Sequence, residues 1–268
     1  MYPILLHIYG PFNINSFSIA IAIALFVALI FSRKKALKKN LISEHDFTNG
    51  FVESALIGIF GGRLLHILSE WKNYLSLLDM ISIWNGGMSV LGSFIGVIAY
   101  ASWYVRQRGI PILPLFDCVA LYAPLAHSIA RFGCFLAGCC YGIPTSLWWG
   151  VTYTNPEVVA PLHIQLHPTQ LYSSLSLMAI FLILRKLEKR CVNPGELTML
   201  YLILASIERL SIDFLRGDRV INSPFSFIFT QWLSLDQWIA VGMFIMSLTG
   251  LFFIKLRAKR ISGVYEPF

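Results

Sequence analysis

The first membrane-length segment of the chain reads FNINSFSIAIAIALFVALIFS, residues 12–32, and it carries no charged side chain. A helix needs about 20 mostly apolar residues to cross a hydrocarbon core of roughly 30 Å. A basic run of Arg33, Lys34 and Lys35 follows at once. The segment therefore predicts a retained membrane span whose positively charged end faces the cytoplasm.

The whole chain shares this apolar composition. Of its 268 residues, 56% are hydrophobic and only 13% are charged, and the mean hydropathy is +0.67. This is too apolar for a soluble globular protein, so we predict an all-α integral membrane protein in contact with the lipid bilayer. The net charge of +7 comes from short basic runs between apolar segments. Because such runs encode membrane topology, we predict no nucleic acid partner.

Six further segments have membrane length, which predicts a seven-transmembrane-helix bundle in a single membrane domain over residues 1–268. Most of the 21 Lys and Arg residues follow the first, third, fifth and seventh segments. Positive charge is retained in the cytoplasm, so the N-terminus is outside and the C-terminus is cytoplasmic. The loop 137–167 has no Lys or Arg and is assigned outside. The predicted spans are about 12–32, 51–68, 88–105, 113–136, 168–184, 197–215 and 235–254.

Arginines occur inside three of the predicted spans, as Arg63, Arg131 and Arg209. A charge in a span costs several kcal/mol unless it is paired or faces a polar cavity. All of them fall in the outer half of the membrane, where they either snorkel to the headgroups or form a binding site. A guanidinium binds phosphate through parallel hydrogen bonds, so we hypothesise a site for an anionic phospholipid headgroup. His127 and Asp213 lie one helical turn from Arg131 and Arg209, a spacing suited to pairing.

The motif WNGGMS, residues 84–89, opens the third predicted span. Its Gly86, Gly87 and Ser89 begin a helix on the outer side. The backbone N–H groups of such a helix start can face an anion, and we assign these residues to substrate binding. Close helix packing is the alternative interpretation of these glycines, and it explains Gly92 and Gly96, which continue at a four-residue spacing.

A cysteine-rich block, RFGCFLAGCCYG, covers residues 131–142. Cys134, Cys139 and Cys140 lack the paired two-residue spacings of a zinc site, so we predict no metal site. A disulfide outside the membrane and a reactive thiolate beside Arg131 both stay open.

Together these residues resemble the phosphatidylglycerol:prolipoprotein diacylglyceryl transferases of bacterial membranes. The motif order and the seven-span, N-out topology are similar to those of that family. The residues that carry the resemblance are Gly62-Arg63-Leu64, Gly86-Gly87-Met88-Ser89, Arg131-Phe132-Gly133, Tyr141-Gly142-Ile143-Pro144-Thr145, Trp149-Gly150-Val151, His167-Pro168-Thr169-Gln170-Leu171-Tyr172 and Arg209-Leu210-Ser211-Ile212-Asp213-Phe214-Leu215-Arg216.

Members of that family move a diacylglyceryl group from phosphatidylglycerol to the thiol of a lipobox cysteine, releasing glycerol phosphate. The resemblance implies this reaction in the bacterial cytoplasmic (inner) membrane, with phosphatidylglycerol and the signal peptide of a lipoprotein precursor as partners and with no cofactor. Carried over by motif, the implied roles are phosphate binding by Arg131 and Arg209, close loop packing at Gly142, an outer-rim position for Arg216, and substrate contact by Gln170 and Tyr172.

The chain departs from the family pattern at its polar positions. Cys134 and Cys139 stand where the family's signature block has Asn and Glu, and we assign both to substrate binding. The general base of a transferase would then be His127, His167 or Asp213. The alternatives are a divergent paralogue that binds phospholipid without this chemistry or transfers to another acceptor, and a small transporter.

Overall fold

The computed structural model describes residues 2–9, 12–71, 74, 76–82, 86–219 and 233–264. Trp84 and Asn85 of the glycine motif lie outside the described residues. The elements in chain order are β1 Ile4–Tyr9, β2 Phe12–Asn15, α1 Ser16–Lys38, α2 Glu44–Ser69, α3 Leu77–Ile81, α4 Val90–Gln107, α5 Ile112–Ala137, β3 Val151–Thr152, β4 Gln165–Leu166, α6 Thr169–Leu187, α7 Glu196–Asp213 and α8 Leu235–Val264.

Helices dominate the described residues, and all of them except α3 have 18 residues or more. Among these, 5 are long and apolar enough to cross a membrane, namely α1, α2, α5, α6 and α8. This confirms a helical integral membrane protein. Helix α4 ends in the polar pair Arg106 and Gln107, and α7 contains Glu208, Arg209 and Asp213, so neither is uniformly apolar. Seven spans therefore stay a prediction.

The predicted start of the first span at residue 12 is wrong. Residues 12–15 form β2, which pairs with β1. Helix α1 begins at Ser16, whose N–H and hydroxyl both donate to the Pro3 carbonyl, at 2.9 and 3.2 Å. The polar Asn13 and Asn15 alternate with apolar residues, and this pattern suits a strand better than a membrane helix.

Most other helix ends also differ from the predicted spans, and α7 and α8 are two examples. Helix α7 ends at Asp213, and the chain then turns so that Arg216 forms an antiparallel bridge with Gly142. The predicted span 197–215 is therefore two residues too long. Helix α8 continues to Val264, beyond the predicted end at residue 254, because hydropathy marks the apolar part of a helix and misses its charged continuation.

The chain divides into two compact units. One consists of Met1–Leu6, Ile14–Ala28 and Phe116–Phe268, and the other of His7–Asn13 and Leu29–Leu115. In the second unit, α2 packs against α4 through glycines. A Cβ on Gly92 would lie 2.4 Å from the Gly61 carbonyl oxygen, and one on Gly96 would lie 3.0 Å from the Ile57 carbonyl oxygen. The packing role predicted for Gly92 and Gly96 is confirmed.

In the first unit, the core between α5, α6 and α7 contains the fully buried Leu121, Leu177 and Leu184. A buried carboxylate fixes the start of α7. Asp117 on α5 accepts hydrogen bonds from Gly195 N–H at 2.6 Å and Thr198 N–H at 2.8 Å. A carboxylate at a helix N-terminus satisfies free N–H groups and complements the helix dipole. Helix α7, which carries Arg209, is thus held against α5, which carries Arg131.

Candidate active site

Asp213, at the end of α7, lies among arginines. It is 1% exposed, and its carboxylate oxygens lie 3.7 Å from Arg209, 3.8 Å from Arg216 and 3.5 Å from Arg219. Ser234 Oγ donates to it at 2.6 Å. A carboxylate with these contacts offsets the charge of the surrounding guanidinium groups and holds them in place.

Further acids complete the charge network around the same arginines. Arg209 donates to Asp236, and Arg216 makes a bidentate pair with Asp218, with both N–O distances at 2.9 Å. A cavity of about 270 Å³ opens beside this network. It is lined by Asp213, Arg216, Asp218, Arg219, Ser234, Leu235 and Asp236.

Arg131, near the end of α5, has spare hydrogen-bonding capacity. Its Nε atom is buried, and no residue in the described part of the chain accepts a hydrogen bond from it. Its charge acts on His127, Glu208 and Cys140. A buried donor without a partner costs about 1–3 kcal/mol. An anion bound at this position would remove that cost.

Glu208 and Ser173 belong to this cluster, although we did not predict either as a site residue. The Ser173 hydroxyl donates to Glu208 Oε1, and both side chains are buried. Glu208 also interacts electrostatically with Arg131 and Arg209. The sequence signal for Glu208 is an acid next to Arg209 in an apolar segment, but nothing in the sequence indicates its pairing with Ser173.

His127 and His167 occupy different surroundings in this unit. His127 interacts electrostatically with Arg131, Arg209 and Cys140, so it belongs to the arginine cluster. His167 Nδ1 lies 3.3 Å from the Tyr172 hydroxyl, which also accepts a hydrogen bond from the Trp149 indole at 2.6 Å. The structure therefore links His167 to Tyr172 in α6 and, through it, to Trp149.

Gly142 lies where three chain segments cross. Its N–H donates to the His167 carbonyl at 3.1 Å, and on its other side it pairs with Arg216. A Cβ on Gly142 would lie 2.4 Å from the His167 carbonyl oxygen. Gly217 also approaches closely, since its Cβ would lie 2.7 Å from the Gly142 carbonyl oxygen. These contacts set the position of Arg216 relative to the cysteine-rich loop.

The cysteine-rich loop brings its thiols together. The sulfur atoms of Cys134, Cys139 and Cys140 all lie within 4.8 Å of one another, and all three residues are free cysteines. Gly138 has φ +71 and Cys140 has φ +55, so the chain doubles back after α5. The Cys140 thiol accepts hydrogen bonds from the Cys134 and Cys139 thiols and lies near the positive charge of Arg131. These interactions hold the pKa of the Cys140 thiol well below its usual range.

Gln170 supports this loop from inside the protein. It is 1% exposed, and its Nε2 donates to the Cys139 carbonyl at 2.7 Å and to the Tyr153 hydroxyl at 3.2 Å. Burial raises the pKa of Tyr153 to about 12, so this phenol stays protonated. Gln170, which we predicted to contact substrate, uses its donors to hold the loop.

Arg63 belongs to the other unit and is fully engaged there. Its Nε donates to the Met80 carbonyl at 2.9 Å. Its other N–H groups donate to the carbonyls of Gly86 at 2.5 Å, Gly87 at 2.8 Å, Asp79 at 2.6 Å and Ser82 at 3.1 Å. No N–H of Arg63 is left for a phosphate. These contacts order the loop before α4, and phosphate binding by Arg63 stays a prediction that they do not support.

The glycine motif supplies two of these carbonyls. Gly86 and Gly87 have φ +84 and +78, a region that favours glycine, and they present their carbonyls to Arg63. Ser89 caps α4, because its hydroxyl accepts from Gly92 N–H at 3.4 Å. In this structure Gly86, Gly87 and Ser89 make the contacts of a loop and a helix cap, and their role in substrate binding stays a prediction.

Replacing Arg63 with alanine is expected to lower the thermal unfolding midpoint by several degrees. The change would break five hydrogen bonds to backbone carbonyls in part-buried or buried surroundings, and each such bond contributes about 0.5–1.5 kcal/mol. The control is Arg33→Ala, which removes one partly exposed ion pair with Glu44 at 2.8 Å and should change stability by about 1 kcal/mol or less. An Arg63→Ala protein as stable as the wild type but without transfer activity would restore the phosphate-binding role.

Apolar helices of membrane length and a partly buried cluster of arginines and acids define an integral membrane protein with a charged site. A family model described as "Prolipoprotein diacylglyceryl transferase" matches residues 3–253. The chain is 35% identical over 253 residues to a phosphatidylglycerol--prolipoprotein diacylglyceryl transferase of Clostridium tetani, covering 92% of this chain and 98% of that relative. An enzyme of the same name from Thermotoga maritima is 32% identical over 214 residues, or 78% of this chain and 73% of the relative. The chain therefore belongs to the prolipoprotein diacylglyceryl transferase family.

Proposed function

We propose that the protein transfers a diacylglyceryl group from phosphatidylglycerol to the thiol of a lipobox cysteine in a lipoprotein precursor. Family membership over most of the chain supports this activity. The observation that carries it is the buried Arg131 Nε, which has no acceptor among the described residues and whose charge acts on the same acid as that of Arg209. A phosphate diester is the ligand that such guanidinium groups bind.

In this reaction the acceptor sulfur attacks the glycerol carbon that carries the phosphate. The bond between that carbon and the phosphate oxygen breaks, its electron pair stays on the oxygen, and glycerol phosphate leaves. Negative charge therefore grows on the phosphate in the transition state. Arg131 and Arg209 bind this group and stabilise the developing charge, which is the largest contribution that a preorganised site makes.

His127 is the base that takes the proton of the acceptor thiol. The charges of Arg131 and Arg209 act on it, and the negative charge of the bound phosphate offsets them, so that the imidazole can hold the proton. Asp213 positions the arginines, since they and Ser234 occupy its carboxylate. His167 and Tyr172 line the side from which the acceptor peptide enters, with Arg216 at the outer rim.

The chain forms a single domain of seven spans in a bacterial inner membrane. Its N-terminus lies outside, and its C-terminus lies in the cytoplasm. The basic ends of α1 and α6 support this orientation, because Lys35 and Lys38 end one helix and Arg185 and Lys186 end the other. Positive charge near helix ends marks the cytoplasmic side. The precursor's signal peptide enters from the opposite, outer face.

Alkaline phosphatase fusions are expected to report this topology. The reporter is active only outside the cytoplasm, so a fusion after Asn155 should be active and fusions after Gly109 and Asn193 inactive. Equal expression of the fusions is checked by immunoblot. Activity of the Asn193 fusion would contradict the proposed number of spans.

Complementation tests the proposed activity in cells. A bacterium depleted of its own transferase accumulates unmodified lipoprotein precursor, and expression of this protein should restore the modified, faster-migrating form. The Arg131→Ala variant, expressed at the same level, should not restore it. Binding of phosphatidylglycerol with persistent unmodified precursor would favour the alternative, a paralogue that binds phospholipid without this chemistry or transfers to another acceptor.

A further inference from the structure

We propose that Cys134, Cys139 and Cys140 bind one Zn²⁺ ion in an open site whose fourth position takes the acceptor thiol. This inference rests on the proposed function, since it identifies how the acceptor sulfur is activated. It reverses the prediction of no metal site. That prediction used sequence spacing alone, whereas a turn in the chain brings the thiols together.

The distances between the sulfur atoms fit a zinc site. The three sulfurs lie within 4.8 Å of one another. Zn–S bonds of about 2.3 Å in tetrahedral geometry place sulfurs about 3.8 Å apart, so binding requires a closure of roughly 1 Å. Among the described residues, no fourth His, Cys, Asp or Glu ligand joins this group. Three protein ligands with an open fourth position are the arrangement of catalytic zinc sites, whereas structural sites are closed.

Hydrogen bonds to the backbone of the loop hold the cysteine ligands in place. Cys139 N–H donates to the Cys134 carbonyl at 3.2 Å. The buried Thr169 hydroxyl donates to the Cys140 carbonyl at 2.7 Å, and Gln170 donates to the Cys139 carbonyl at 2.7 Å. Hydrogen bonds of this kind orient metal ligands and reduce the cost of assembling them. The contacts therefore fix the backbone that carries two of the three sulfurs.

The surrounding charge suits a zinc thiolate centre. Three thiolates and Zn²⁺ carry a net charge of about −1, and a fourth thiolate makes it about −2. The positive charges of Arg131 and Arg216 both act on Cys140, so they offset this charge. Because Arg131 also borders the phosphate position, the metal-bound sulfur and the phospholipid would lie on the same side of the cluster.

Zinc coordination supplies chemistry that the transfer needs. A thiol bound to Zn²⁺ loses its proton and becomes a nucleophile at neutral pH. The acceptor thiol takes the fourth position, its proton passes to His127, and its sulfur attacks the glycerol carbon while glycerol phosphate leaves. The thioether product binds zinc more weakly than a thiolate does and dissociates. Cys134 and Cys139 thus supply thiol activation where the resembled family has Asn and Glu.

Metal content of the purified full chain tests the site directly. We expect about one zinc ion per chain by elemental mass spectrometry, and each of Cys134→Ser, Cys139→Ser and Cys140→Ser should retain roughly a tenth of it or less. The matched control is Cys191→Ser, because Cys191 is a free cysteine outside the cluster. Its zinc content should equal that of the wild type.

Cobalt replacement tests the open position in the wild-type protein, so it does not depend on the folding of a variant. Co²⁺ added to the metal-free protein should give thiolate-to-cobalt absorption, and a lipobox peptide with its cysteine should increase it. The same peptide with serine should not. An increase with both peptides, or with neither, would overturn the role of the fourth position.

The outcomes separate this inference from the proposed function. A protein without zinc and without cobalt absorption, or with a disulfide between two of the cluster cysteines, overturns the metal site even if transfer occurs. Zinc bound by the three cysteines in a protein that fails complementation would leave the metal site standing and contradict the proposed activity.

Discussion

Replacing Arg131 with alanine is expected to lower diacylglyceryl transfer by about 100-fold or more, which is the usual cost of removing one preorganised electrostatic group. Arg131 has a buried Nε that lacks an acceptor among the described residues. A bound phosphate would give this Nε the acceptor that it lacks. Initial rates of transfer from phosphatidylglycerol to a lipobox peptide would measure this effect.

Two further variants separate geometry from charge. Arg131→Lys keeps the charge but loses the planar fork that binds two phosphate oxygens, so it should recover little of the rate. Arg185→Ala is the matched control, because Arg185 is an exposed residue in the last turn of α6 and should transfer at the wild-type rate. Near wild-type turnover by Arg131→Ala would exclude Arg131 from phosphate binding.

The second large effect is expected at Gly142. In Gly142→Ala the new Cβ would lie 2.4 Å from the His167 carbonyl oxygen and 2.6 Å from His167 Cβ. The first contact is with backbone, which cannot rotate away, so the loop must shift and move Arg216 with it. We expect transfer to fall by about 100-fold, since small displacements of positioning groups have effects of this size.

The matched control for this change is Gly242→Ala in α8. A Cβ at Gly242 meets nothing within 4 Å among the described residues, and alanine is the better helix former. This variant should be as active as the wild type and at least as stable. A Gly142→Ala protein with normal transfer would show that the crossing of the three segments does not position the site.

Hydropathy and charge predicted most of the helices because burial in lipid selects long apolar segments regardless of tertiary contacts. The errors occur where local polar contacts decide the structure. Residues 12–15 join a strand pair ahead of Ser16, and Asp213 ends α7 within its ion pairs with arginines. These boundaries depend on partners that are distant in the sequence.

The candidate site was predicted less completely than the fold. Arg131 and Arg209 stand out because a guanidinium in an apolar segment is costly unless it is paired or faces a polar cavity. Arg63 also lies in an apolar segment. Its hydrogen bonds to backbone carbonyls order a loop, and the sequence does not reveal these partners. The clustering of Cys134 with Cys140 follows from the left-handed turn after α5, which the spacing of the cysteines does not reveal.

The most direct test is transfer by the purified protein in nanodiscs that contain phosphatidylglycerol labelled in its diacylglyceryl moiety. After incubation with a lipobox peptide, the peptide is recovered and its label and mass are measured, with a peptide carrying serine in place of cysteine as the blank. We expect one diacylglyceryl group on the cysteine sulfur and released glycerol phosphate, and we expect both to be lost with Arg131→Ala. Bound but unconsumed phosphatidylglycerol, with an unmodified peptide, would contradict the proposed transfer.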